Sequence, residues 1–150
     1  MVMPRVDFYV LASADPAARL RFACRLVEMA YLREHRVRVQ FDPGGEIAAF
    51  DDLLWTFADR SFVPHQRLSV HDRPHEGIQE PVVLADGPAP APGEADVLVN
   101  LAAGVPAEYR QFARIVEIID ADAERRRLGR ERFRFYRDQT IEPETHEMRE

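Results

Sequence analysis

Residues 6–33, VDFYVLASADPAARLRFACRLVEMAYLR, join an apolar, β-prone run to an amphipathic helical one. Val6–Leu11 reads as a buried first strand. Asp15-Pro16 supplies a helix start, a capping carboxylate followed by proline at the first helical position. From Ala17 to about Arg33, Leu20, Ala23, Cys24, Val27, Ala30 and Tyr31 recur at helical spacing, while Arg19, Arg21, Arg25 and Arg33 fall mostly elsewhere.

The same strand-then-helix unit repeats along the chain. Val37–Phe41 reads as a second strand, ended by Asp42-Pro43-Gly44-Gly45. A second helix follows from Glu46 to Phe57, with Ile47, Phe50, Leu53, Leu54 and Phe57 inward. Pro81–Leu84, Asp96–Leu101 and Ile115–Ile119 are further strands. A helix is expected around Pro106–Ala113, and a final one from about Asp122 to Arg137. Ser61–His65 is apolar without a clear period, Gln66–Glu80 reads as a polar loop, and Gly87–Gly93 is a proline-rich surface connector. Strands alternating with helices predict one three-layer α/β domain with a largely parallel sheet, Rossmann-like but without a nucleotide motif. The domain is expected over residues 1–137, with 138–150 as a polar tail.

A chain of 150 residues with 46% apolar and 31% charged residues fits one ordinary core. No run approaches the roughly 18 apolar residues of a membrane span. The N-terminal Met1-Val2-Met3-Pro4-Arg5 resembles neither a signal nor a transit peptide. A single cysteine, Cys24, can form no internal disulfide, which suits a reducing cytoplasm.

Few residues suggest chemistry. The turn Ala12-Ser13-Ala14-Asp15-Pro16 has no glycine to bring backbone amides to a phosphate, and Asp15 would repel one. His65, His71 and His75 with Asp72 and Glu76 are metal-capable, but Pro74 interrupts the helix that would align His71 with His75. They read as a solvated loop, with His65 closing the preceding turn. Cys24 lies on the apolar helix face, where a thiol acts as a small core hydrophobe. The carboxylates form no pair at acid–base spacing. The expectation is no catalytic residue, no cofactor and no metal.

Two features stand out. Trp55, Phe57 and Phe62 form a dense aromatic group, and Trp55 departs from the Phe50/Leu54/Phe57 stripe, as a partner-facing anchor would. The terminal helix holds seven arginines and one acid between Arg125 and Arg137, a window of charge +6 in a chain of net charge −6. The plain reading is a solvated basic face over a seam of Leu128, Phe135 and Phe133. The sharper one is a surface for anions, because arginine forks grip carboxylates and phosphates in bidentate fashion. A nucleic-acid backbone and an acidic peptide with a free terminal carboxylate both fit, although the remaining −12 opposes a general grip on DNA.

The segments Asp7–Leu11, Leu53-Leu54-Trp55, Ser61-Phe62-Val63-Pro64-His65, Asp96–Leu101 and Arg130–Arg137 together resemble the chi subunit family of bacterial DNA polymerase III. SFVPH and RERFRFYR are the most specific of these. The resemblance runs in order to Arg137. It implies a non-catalytic replication adaptor with two protein contacts. One is the psi subunit of the clamp-loader complex, met through aromatics that match Trp55 and Phe62, a surface a helicase can also use. The other is the acidic C-terminal tail of single-stranded DNA-binding protein, which ends in a phenylalanine carboxylate. Its binding positions match Ile119, Arg126, Arg130, Phe133 and Arg134. The alternative for the arginine-rich helix is direct nucleic-acid binding.

Overall fold

The computed structural model describes residues 3–58, 62–68, 80–87 and 95–148. In chain order these form β1 (Arg5–Leu11), α1 (Pro16–Leu32), β2 (Val37–Gln40), α2 (Ile47–Thr56), β3 (His65–Leu68), β4 (Val82–Ala85), β5 (Val97–Asn100), a 3-10 turn (Tyr109–Gln111), β6 (Arg114–Ile119), α3 (Ala123–Asp138) and β7 (Glu144–Met148). The seven strands make one sheet in the order β3-β4-β2-β5-β6-β1-β7, and every pairing is parallel.

Parallel strands covered on both faces need mostly apolar runs, and β4, β5 and β6 supply them, whereas β2, Val-Arg-Val-Gln, alternates. On one face, α1 and α2 bury Leu20, Cys24, Val27, Phe50 and Leu54 against Leu11, Val39, Val99 and Ile118. On the other, α3 and the 3-10 turn bury Tyr136, Tyr109 and Phe112 against Val6, Phe8, Leu98 and Ile115. The result is the expected three-layer α/β domain. Helix α1 starts as its sequence requires: the Asp15 carboxylate accepts from the Ala17 amide at 3.0 Å, with Pro16 at the first position. Cys24 is wholly buried, and that burial pushes its thiol up to about 12.

Three elements differ from the sequence reading. Residues 65–68, placed partly in a loop, form edge strand β3 against β4. Residues 144–148, within the expected polar tail, form the opposite edge strand β7 against β1. Both have one neighbour and partial solvent, so neither needs the apolar run that marks a central strand. The segment 106–113 yields only the short 3-10 turn at Tyr109–Gln111. His71, Asp72, His75 and Glu76 lie outside the described residues, as do residues 88–94 of the proline-rich connector.

A buried carboxylate explains how so polar a strand as β7 docks. Asp7 has no solvent exposure, and Arg114 Nε donates to it at 2.9 Å; His146 Nε2 lies 3.0 Å away and Arg5 Nε 3.2 Å. The His146 ring also stacks on Tyr9 at 4.9 Å between centroids. Burial alone would raise the Asp7 carboxyl; hydrogen bonds from His146 and Arg114 and the charges of Arg114 and Arg5 outweigh it, so the group lies below its ordinary 3.8. A lowered carboxyl stabilises the fold above its unfolded value and loses that contribution as pH falls through the folded one. Asp7→Asn is expected to cost about 2–3 kcal/mol at neutral pH. In paired urea melts, the gap between the two proteins should hold down to about pH 4 and close below it.

Candidate docking surfaces

Helix α3 faces the sheet with an unusual stripe. Its buried residues are Gly129, Arg132 and Tyr136, whereas Leu128 and Phe133 are half-buried and Phe135 is 37% exposed. The expected seam of Leu128, Phe135 and Phe133 is therefore not the inward face. The reason is a carboxylate beneath the helix. Glu117 of β6, fully buried, accepts from Arg132 Nε at 2.9 Å, from the Tyr136 hydroxyl at 2.7 Å and from Asn100 Nδ2 at 3.0 Å. Arg132 Nη1 also donates to the Ala103 carbonyl at 3.0 Å. Burial foremost, then the Glu117 charge, pushes the Tyr136 hydroxyl far above its ordinary range, so it stays a donor.

The helix start is tied down by charge as well. Asp122 caps it, accepting from the Arg125 amide at 2.9 Å. Arg125 grips the buried Asp120 carboxylate with both Nε (2.8 Å) and Nη2 (2.7 Å). Burial opposes ionisation of Asp120, but the Arg125 hydrogen bonds, the Asp122 amide and nearby guanidinium charges win and lower it. Arg127 pairs on the surface with Glu124 and Glu131. Such exposed pairs contribute little stability, but they occupy the arginine.

Three of the seven arginines, 125, 127 and 132, are thus committed within the helix and sheet. Arg126 uses only its Nε, on the Asp120 carbonyl at 3.1 Å. The side chains of Arg130, Arg134 and Arg137 are exposed and bond to none of the described residues. Arg126, Arg130, Phe133 and Arg137 follow one another at four, three and four residues, which aligns them along one flank of α3. Arg134 stands beside that line.

The floor of this flank is apolar. Phe133 meets Phe8 edge-on at 5.2 Å, and Ile119 lies at the end of β6 beneath Gly129. A Cβ added to Gly129 would overlap Ile119 Cδ1 and stand 2.8 Å from Cγ1, so glycine is what allows the helix to approach this closely. The structure therefore puts Ile119 and Phe133 in the α3-side layer, with Arg126 and Arg130 exposed on the same helix and Arg134 beside them. Sequence reading missed β7, whose Thr145 and Glu147 share a sheet face with Phe8 and Val10 by register. Only a strand assignment for the tail could have exposed them.

The second surface lies across the sheet, at the end of α2. Trp55 is 45% exposed and Phe62 66%, their rings 5.4 Å apart. His65 packs against the indole at 4.2 Å and closes the preceding turn, its Nδ1 2.7 Å from the Val63 carbonyl. Phe57, in contrast, packs against the core.

One cluster has metal-ligating chemistry: ligand atoms of Asp7, Glu144 and His146 lie within 4.8 Å of one another. Arg114 and Arg5 already sit on Asp7, where their positive charges oppose a cation, and the group reads as an ion-pair network.

Fold and surfaces together define a parallel α/β module whose exposed groups suit protein docking. Comparison with known proteins narrows that class. The family described as "DNA polymerase III chi subunit, HolC" matches residues 3–144. The DNA polymerase III subunit chi of Pseudomonas aeruginosa is 35% identical over 146 residues, covering 97% of this chain and 98% of that protein. The chain belongs to the DNA polymerase III chi subunit family, and with it to the accessory proteins of the replisome. No helix among the described residues is long and apolar enough to cross a membrane.

The Gly129–Ile119 approach is open to a direct check. Gly129→Ala should gain about 1 kcal/mol of helix propensity yet lose about 1–3 kcal/mol to overpacking, a net destabilisation. In an Ile119→Ala background the same change should become stabilising, as thermal melts of the four proteins would reveal.

Proposed function

We propose that this protein is a non-catalytic adaptor of the bacterial replisome, working in the cytoplasm, that captures the C-terminal tail of single-stranded DNA-binding protein. The observation that carries the reading is the outer flank of α3, where uncommitted guanidinium groups border an apolar floor. Arg130 would fork onto the terminal carboxylate while Ile119 and Phe133 enclose the terminal phenyl ring. Arg126 and Arg134 would draw in the aspartates of the tail, which speeds encounter and makes binding salt-sensitive. Arginine at 126 gives a flat fork where lysine can stand in the family, and phenylalanine at 133 makes the enclosure wholly apolar.

On the opposite face, Trp55 and Phe62 would contact the psi subunit and so join the protein to the clamp loader. A helicase would compete for the same aromatics. The net charge of −6 favours contact with DNA mainly through the single-stranded DNA-binding protein.

The test is titration with an acidic peptide ending in Asp-Ile-Pro-Phe. Removing the terminal phenylalanine, amidating its carboxylate, or changing Arg130→Ala should each weaken binding by at least about tenfold. Raising the salt should weaken it further. No peptide binding at low salt, with single-stranded DNA bound instead, would contradict tail capture and favour direct nucleic-acid recognition by the arginine flank.

A further inference from the structure

The aromatic surface at the end of α2 is organised around a buried histidine. The His65 side chain is 1% exposed, and each of its ring nitrogens faces an acceptor: Nδ1 the Val63 carbonyl and Nε2 the Asp51 carboxylate, both at 2.7 Å. Asp51 and Trp55 lie one helical turn apart on α2, so both reach the same neighbour. The imidazole is clamped by the carboxylate on one side and packed by the indole on the other, at 4.2 Å. The second ring against the indole is Phe62, which is itself 66% exposed and so a loose support. A half-exposed tryptophan on a helix flank would otherwise sample several rotamers, and a partner would have to immobilise it on binding.

We propose that Asp51 and His65 are positioning residues of this docking surface, holding the Trp55 indole in the orientation its partner meets. The inference rests on the reading that this face takes the psi subunit. His65 touches no partner itself at 1% exposure; it acts through Trp55. The carboxylate fixes the imidazole plane, the Val63 carbonyl fixes its place at the start of β3, and the ring presents a flat wall to the indole. The same pair ties the last turn of α2 to edge strand β3, which keeps Trp55 and Phe62 in register although they belong to different segments.

The chain has a single tryptophan, so its fluorescence reports this site alone. In the full-length protein, Asp51→Ala and His65→Ala should lower the anisotropy of Trp55 and raise its acrylamide quenching about twofold. His65→Gln, whose carboxamide can still donate to Asp51, should restore most of the order. Affinity for the psi subunit should fall roughly tenfold in each alanine variant, and the double variant should be no weaker than either single one. In a Trp55→Ala background, removing Asp51 should change the affinity no further, an outcome that a general structural defect would not give. Binding of the acidic tail peptide, on the other face of the sheet, checks that each variant is folded. If His65→Ala fails to fold, Asp51→Ala carries the comparison. An indole equally ordered in Asp51→Ala and the wild type would overturn the proposal. If Trp55→Ala leaves psi affinity unchanged, the reading of the face as the psi surface fails, and the indole signal alone decides the positioning role.

Discussion

Glu117 sits in the sheet without access to water, and its two oxygens receive three donors from two other elements: Arg132 and Tyr136 of α3 and Asn100 of β5. An unpaired buried carboxylate would be costly, and so would the buried guanidinium that meets it. The pairing therefore fixes how α3 is rotated on the sheet. With Arg132 and Tyr136 turned inward, Arg126, Arg130 and Arg137 are left along the outer flank, with Phe133 at its edge against Phe8. Gly129 lowers that helix onto Ile119 at the same point. Glu117 thus takes Arg132 out of the surface, as Asp120 takes Arg125.

The two faces of the sheet carry different surfaces. On the α3 side, cations border an apolar floor of Ile119 and Phe133, suited to an anionic, apolar guest. On the α1/α2 side, Trp55 and Phe62 stand exposed at the end of α2, a helix that carries Asp51 and Asp52 and no basic residue. A sheet covered on both faces separates the two, as the proposed linking role requires.

Much of the fold was legible because several of the parallel strands are mostly apolar along their length. Val6–Leu11, Val97–Asn100 and Ile115–Ile119 could hardly be read otherwise, and Asp15-Pro16 marked the start of α1. The edges were not legible. His65–Leu68 and Glu144–Met148 are polar because water replaces one neighbour, and β7 is held by Asp7 and Tyr9 from the far end of the chain. The arginine-rich helix was evident as a unit, but its members were indistinguishable. Nothing local separates Arg132 from Arg130; the difference is Glu117, fifteen residues before Arg132 on another element. The same holds for Arg19, which sequence reading left on the polar side of α1. It is buried, with Nη1 2.8 Å from Glu46 and Nη2 3.2 Å from the Leu101 carbonyl. Long-range pairing of buried charges is the information that periodicity lacks.

The rotation of α3 leaves its outer arginine flank open to the proposed anionic partner. The most direct measurement is a backbone and side-chain chemical-shift map of isotope-labelled protein on addition of the acidic tail peptide. Perturbations should concentrate at Ile119, Arg126, Arg130, Phe133 and the facing residues of β1 and β7, with Trp55 and Phe62 silent. Perturbations centred instead on the opposite flank of α3, at Leu128, Phe135 and Tyr109, or on the aromatic face of α2, would contradict that placement.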